Sequence, residues 1–335
     1  MKYIDKIEHY TSRLDLIQTE LAIKYVKDTF EQELAKELKL MRVSAPLFVL
    51  PQTGLNDYLN GHERVVRFDV KDLGENVEIV QSLAKWKRNA LKRYDVEPGF
   101  GIYTDMNAIR RDEELDAIHS VYVDQWDWEK IIRETERTKE YLFNTVRTIY
   151  NVIKRVNCLV KTQFKSLTTT LPEDIKFIST DELLKAYPAM SAKERENMIT
   201  NKYKAVFIYQ IGWPLKDGNS HDGRAADYDD WNLNGDILVW NEVIKTAFEL
   251  SSMGIRVNGD SLIKQLTYKG ELDKLGNQYC QDILNNNLPL TIGGGIGQSR
   301  LCMFMLQKAH IGEVQVSVWD EKTRLALSKK NIKLL

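Results

Sequence analysis

The run Thr291-Ile292-Gly293-Gly294-Gly295-Ile296-Gly297-Gln298-Ser299-Arg300-Leu301 constrains this chain more than any other stretch. Gly293, Gly295 and Gly297 are two residues apart, and in a strand residues two apart share a face. One face of the strand therefore lacks side chains, and a flat ligand can lie on the backbone. Leu301, Phe304 and Met305 follow at helical spacing and predict a helix buried against the sheet. Arg300, in its first turn, reaches back over the bare face with a planar cation suited to an aromatic ring or a phosphate. The stretch reads as a nucleotide slot of an unusual kind. It has no Gly-Lys-Ser/Thr ending for a Walker loop, and Gln298 stands where a dinucleotide fingerprint needs glycine.

With 335 residues, 43% of them hydrophobic and 28% charged, the chain can bury a large core. A net charge of −1 argues against a protein built to hold a nucleic-acid backbone. Cys158, Cys280 and Cys302 are far apart and form no CxxC pair, which suits a reducing cytoplasm. The N-terminus is charged throughout and lacks the apolar centre of a signal peptide. No apolar run approaches the roughly 20 residues that span a bilayer.

Residues 12–39 have a helical pattern with two neighbouring apolar stripes, Leu14, Ile17, Leu21 and Tyr25, then Val26, Phe30, Leu34 and Leu38. The extended run Met41 to Leu50 contains Pro46, which cannot donate to a ladder, so an edge or interface strand is expected. Asn56 to Gly61 reads as a turn, 64–70 and 77–80 as strands, and 82–88 as the opening of a helix. Lys85 and Lys87 cannot share a helical face, so at most one of them points into a site.

Residues 100–110 and 119–128 form a long hairpin, with Val121, Val123, Gln125 and Asp127 on one face of its second strand. A polar pair ending an apolar face marks Gln125 and Asp127 as ligand contacts. Helices are expected over 131–165, from a cap at Thr180, up to 201, and as one helix over 259–287. Residues 205–212 read as an interior strand, 216–231 as a long functional loop around Arg224, and 234–240 with 248–257 as a second hairpin. Asp236 and Glu249 on that hairpin are a carboxylate pair suited to magnesium beside phosphates. One α+β domain around a mainly antiparallel sheet flanked by helices is the expected fold.

Gly293-x-Gly295-x-Gly297-x-x-Arg300 resembles the third signature motif of class II aminoacyl-tRNA synthetases. Arg110, the acidic turn after it and His119 resemble the second, and the helix before Met41 with the Pro46 strand resembles the first, a dimer contact. The strings at 82–88, 119–128, 227–231 and 248–256, with the glycine strand, are similar to those of ammonia-dependent asparagine synthetases, the aspartate–ammonia ligases.

That resemblance implies a homodimer that takes ATP, L-aspartate and ammonia, with Mg²⁺, and makes asparagine through β-aspartyl-AMP. It implies Arg110 and Arg300 as catalytic cations at the α-phosphate. Arg224, Asp229 and the three glycines are further nucleotide contacts, and Asp236 and Glu249 the metal ligands. Asp57, Lys87, Gln125, Asp127, Ser252 and Arg256 are its aspartate-binding candidates. A glutamine-dependent enzyme would need a cysteine nucleophile with a partner, and none is evident. Transfer of an activated amino acid to tRNA or protein, or a silent nucleotide-binding regulator, are the alternatives that the acceptor and pyrophosphate release would separate.

Overall fold

The computed structural model describes Tyr3, residues 9–59 and residues 63–335. Asn60 and Gly61 of the expected turn, and most of the charged N-terminal stretch, lie outside the described residues.

Helix α1 (Leu16–Leu38) starts at Asp15, whose carboxylate accepts from the Gln18 N–H while the Gln18 side chain returns to the Asp15 N–H. The stripe Val26, Phe30, Leu34 and Leu38 is buried, with Phe30 4.7 Å from the Trp126 ring. The other stripe differs from expectation: Ile17 is 74% and Leu21 61% exposed. The extended run after α1 divides into two strands, β1 (Leu40–Arg42) and β2 (Phe48–Val49), which join different sheets. Pro46 lies in the break, where its missing N–H matters least.

Strand β4 (Glu75–Ile79) pairs with both β2 and β3 (Arg67–Val70) in a second, three-stranded antiparallel sheet. Helix α2 (Ala84–Arg93) leads to the hairpin of β5 (Gly101–Ile109) and β6 (Tyr122–Ile131). Because β6 runs on to Ile131, helix α3 (Lys139–Gln163) begins later than its pattern suggested, capped by Thr138. After β7 (Lys176–Ser179), Ser179 rather than Thr180 caps α4 (Thr180–Ala186); its hydroxyl accepts from the Glu182 N–H. Helix α5 (Ala192–Tyr203) precedes β8 (Ala205–Tyr209), and the loop after it ends early because β9 (Asp229–Asn241) starts at Asp229.

Strand β10 (Thr246–Arg256) completes the second hairpin. The single helix expected over 259–287 is instead α6 (Gly259–Lys269), a short turn and α7 (Gln278–Leu284). Gly270, at φ +70°, ends α6 in the left-handed region that glycine enters without strain. Then come β11 (Thr291–Gly297), α8 (Gln298–Met305) and α9 (Glu321–Lys329).

Among the described residues eight strands form the main sheet, in the order β1-β5-β6-β11-β10-β9-β8-β7. The pairs β1/β5 and β7/β8, at the two edges, are parallel and the rest antiparallel. Helices α1, α3 and α8 cover one face, over a core that includes Trp126, Trp128, Ile149, Met253 and Leu301. On the other face α2 packs Ala90 and Leu91 on Ile102 and Ile131, and α5 packs Ile199 near Leu238. The space between those two helices is where the polar face of the central strands is left uncovered. No helix among the described residues is long and apolar enough to cross a membrane.

Candidate active site

The register of the central strands gathers the site. Gly295 on β11 stands opposite Asp127 on β6 and opposite Ser252 on β10, so cross-strand neighbours converge on one face. Two connected spaces result. An outer crevice of about 440 Å³ is lined by Arg110, His119, Arg224, Glu249, Gly297 and Arg300 among others. An inner pocket of about 90 Å³ is lined by Asp57, Lys87, Asp127, Asp229, Arg256 and Gly294 among others. Leu59, Arg110, Gln125, Tyr228, Ser252 and Gly295 line both and form the junction.

Arg110 follows the last residue of β5, and its buried Nε has no hydrogen-bond partner. An unanswered guanidinium donor at the junction is suited to an anionic group arriving there. Arg300 projects from the first turn of α8 across β10. Its Nη1 donates to the Glu249 carbonyl at 3.1 Å and lies 3.9 Å from the Glu249 carboxylate. Its guanidinium also stands 5.9 Å from the Phe248 ring.

The glycine face is less open than its sequence suggested. A side chain at Gly293 would clash with the Glu129 carboxylate and lie 2.6 Å from Arg256 Nη2. Gly293 therefore makes room for a buried ion pair and lines neither space. At Gly295 a Cβ would strike the Gln125 amide, and at Gly297 it would lie 3.1 Å from Arg300 Cβ. Gly295 and Gly297 do line the outer crevice.

Arg256 is 3% exposed and already committed. Its Nε donates to Glu129 at 2.9 and 3.2 Å, Nη2 to Glu129 at 2.7 Å, and Nη1 to Asp229. Asp229 thus sits in the inner pocket, not beside the outer crevice. Burial alone would raise the Glu129 carboxyl; Arg256 and Lys87 overcome it and hold the group below its ordinary range. The Thr291 hydroxyl adds a hydrogen bond at 2.7 Å.

Lys87 Nζ donates to the Trp128 and Gly294 carbonyls at 3.1 and 3.2 Å and lies 3.1 Å from the Asp127 carboxylate. Lys85 turns the other way, to Asp227 at 2.6 Å, as the helical geometry required. Asp57, also buried, has its carboxyl raised to about 6 by burial, against the opposing pull of Lys85.

Asp236 faces the same side as its partner Ser252. A β-bulge between Glu249 and Ser251 turns Glu249 onto that side too. Burial, partly offset by Arg224 and reinforced by Glu249, raises the Asp236 carboxyl to about 7. Arg224 takes Asp236 Oδ2, whereas Oδ1 is buried without a partner. Among the described residues no group of three or more acidic, His or Cys side chains gathers as metal ligands. An unanswered carboxylate oxygen beside a second carboxylate fits a cation that takes its other ligands from phosphate and water.

Sequence reasoning passed over Glu129, Tyr228 and Gln81. Glu129 continues by one step the alternation that marks Gln125 and Asp127, so its signal was present. Tyr228 is central to the junction, and nothing in the sequence distinguishes it within its loop. Gln81 lines the outer crevice with both amide atoms buried and unpartnered, also without a sequence signal.

A family model described as aspartate-ammonia ligase matches residues 17–331. The chain is 58% identical, over 97% of its length and 99% of the relative's, to an aspartate–ammonia ligase of Bacillus cytotoxicus. It is 56% identical over the whole of both chains to one of Ruminiclostridium cellulolyticum. In fold it is similar to the asparaginyl-tRNA synthetase of Pyrococcus horikoshii, solved with asparaginyl-adenylate. There the TM-score is 0.65 at 18% identity, covering 89% of this chain and 68% of that one.

Proposed function

The chain belongs to the aspartate–ammonia ligase family, and on that premise we propose that it joins ammonia to the β-carboxylate of L-aspartate through a β-aspartyl-AMP intermediate. The observation that carries the reading is the junction. The unpartnered Arg110 Nε stands where a crevice large enough for a nucleotide meets a small pocket of paired charges. A carboxylate in the pocket and an α-phosphate in the crevice would meet beside Arg110.

In the first step an oxygen of the β-carboxylate bonds to the α-phosphorus and pyrophosphate departs. Negative charge grows on the α-phosphate oxygens, and preorganised cations stabilise it more in the transition state than in the ground state. Arg110 serves one side and Arg300 the other, with the adenine lying near Arg300 and the Gly295–Gly297 backbone. Magnesium, when bound, would offset the charge of the β- and γ-phosphates, with Asp236 and Glu249 holding it and Arg224 anchoring Asp236. In the second step ammonia takes the acyl carbon and AMP leaves.

The test measures AMP and asparagine formed from ATP, aspartate and ammonium, with glutamine and a bulk tRNA preparation as competing acceptors. Asparagine with stoichiometric AMP supports the reading; label transfer to RNA, or no pyrophosphate release, would replace it.

The metal assignment makes its own prediction. Asp236→Asn and Glu249→Gln should each raise the magnesium concentration needed for half-maximal pyrophosphate exchange. An unchanged magnesium dependence in both variants would count decisively against the pair. The exposed Ile17 and Leu21 on α1, with Met41 on the sheet-edge strand β1, are proposed as the homodimer contact. Sedimentation at micromolar concentration should give twice the chain mass, and a strictly monomeric mass would remove the proposal.

A further inference from the structure

The wall of the outer crevice near Arg300 holds a polar group that the reaction steps leave unused. Gln315 lines the crevice, is 5% exposed, and has its Oε1 buried without a hydrogen-bond partner. A buried acceptor is costly to keep unless a donor reaches it.

The neighbours of Gln315 fix which end of its amide faces the wall. The buried Asp124 carboxylate takes four donors. Lys27 Nζ at 3.0 Å and the Ser299 hydroxyl at 2.8 Å reach Oδ2, and the Ser299 N–H at 3.0 Å and Gln315 Nε2 at 3.3 Å reach Oδ1. Because the Ser299 hydroxyl proton is spent on Asp124, its oxygen is left to accept from Gln315 Nε2 at 3.0 Å. Both amide protons of Gln315 are thus engaged, and a flipped amide would set Oε1 against a carboxylate. Oε1 is held as a pure acceptor.

Its position identifies the donor. Ser299 directly precedes Arg300, beside which the adenine lies in the proposed complex. Ile118 and Ile311, 5% and 3% exposed, give the same crevice apolar lining. The Ile311 N–H donates to the Ala117 carbonyl at 2.8 Å and the Ser120 hydroxyl to that of Ser317 at 2.7 Å, so the segment bearing Gln315 is tied to the β5–β6 turn. Apolar lining with one fixed acceptor suits a flat heteroaromatic ring that carries an N–H on its edge.

We propose that Gln315 Oε1 reads the 6-amino group of the purine and so selects ATP over nucleotides with a 6-oxo group, with Asp124, Lys27 and Ser299 holding the amide in its reading orientation. The inference rests on the ligase reading for the nucleotide in the crevice. An amino N–H meets Oε1 as donor to acceptor, whereas the 6-oxygen of inosine or guanosine meets it as acceptor to acceptor. Purine riboside, with only hydrogen at that carbon, leaves Oε1 unanswered without repelling it.

The test compares ATP, purine riboside triphosphate and ITP, in calorimetric binding and in aspartate-dependent pyrophosphate exchange. In wild type, binding and kcat/KM should both weaken about tenfold from ATP to purine riboside triphosphate and on the order of 10²-fold from ATP to ITP. Gln315→Met keeps the side-chain length without the amide, so the preference for ATP over ITP should largely vanish while the aspartate KM holds. In Asp124→Asn, Lys27 keeps the new amide oxygen on its own side, and the new NH₂ stands where Oδ1 accepted from Gln315. That draws the Gln315 amide round to present Nε2, so ITP should be used better than by wild type, which a merely loosened wall does not produce.

Purine riboside triphosphate bound by wild type as tightly as ATP overturns the reader, and that result needs no variant to fold. An equal preference for ATP over ITP in wild type and Gln315→Met also overturns it. ITP use that falls with ATP use in Asp124→Asn removes the orienting role. Wild type that binds with the expected preference but shows no aspartate-dependent exchange sinks the ligase reading instead and leaves the reader standing.

Discussion

Replacing Arg110 by alanine is expected to slow aspartate-dependent pyrophosphate exchange on the order of 10²–10³-fold, the usual effect of deleting one preorganised charge-assisted contact. Arg300→Ala should fall in the same range. The two differ in what else they disturb. The Arg110 Nε bonds to nothing in the folded chain, so its removal costs the fold little. Arg300 gives up one bond to the Glu249 carbonyl and its place beside Phe248. Both variants should therefore melt cooperatively near the wild-type temperature, with Arg300→Ala the lower. In each, kcat and kcat/KM for exchange should drop together, because the contact is made chiefly as charge develops on the phosphate. A variant with near-normal exchange shows that its arginine lies away from the α-phosphate.

The parts of the site that sequence exposed are those where a residue type departs from its surroundings with a definite period. Gly293, Gly295 and Gly297 stand out because a strand with one face bare is costly unless something uses the space. Gln125 and Asp127 stand out because alternation in a strand is strict, and both do line the spaces found. The same periodicity misleads once the ladder slips. Parity alone would put Glu249 and Ser252 on opposite faces, and only the bulge between Glu249 and Ser251 brings them to one side. What covers the glycines was also hidden. Glu129 and Arg256 lie 127 positions apart, and their meeting over Gly293 follows from strand order. In α1 the pattern marked two apolar stripes, yet a helix packed on one side buries only one of them, and periodicity cannot say which. The split of 259–287 was legible in principle, since Gly270 and Gly276 punctuate it.

Arg256 carries the other large expectation, which concerns how aspartate lies. On the proposed β-aspartyl-AMP route the β-carboxylate is presented to the α-phosphate, which would put the α-carboxylate in the inner pocket, where Lys87 and Arg256 are the cations. Both are paired before substrate arrives, Lys87 with Asp127 and Arg256 with Glu129 and Asp229. Pairing does not exhaust them. A guanidinium has five N–H donors, and the contacts of Arg256 use the one N–H of Nε, shared between the two Glu129 oxygens, and one N–H each of Nη1 and Nη2, leaving a second N–H on both terminal nitrogens. Glu129 and Asp229 thus hold the fork in place, and an arriving α-carboxylate pays little to orient it.

Arg256→Ala would strand two buried acids, at about 3–5 kcal/mol for a broken buried pair, and its loss of activity would be hard to separate from unfolding. Arg256→Lys keeps the charge and loses the fork, so it is the informative variant. The comparison is aspartate against β-alanine, which is aspartate without its α-carboxylate. Wild type should prefer aspartate in pyrophosphate exchange on the order of 10²-fold or more, as expected for a buried hydrogen-bonded charge contact. In a folded Arg256→Lys enzyme that preference should shrink roughly tenfold, with the loss confined to aspartate and β-alanine turned over much as before. Equal discrimination by the two proteins would mean that Arg256 serves only Glu129 and Asp229, and the α-carboxylate would then belong with Lys87.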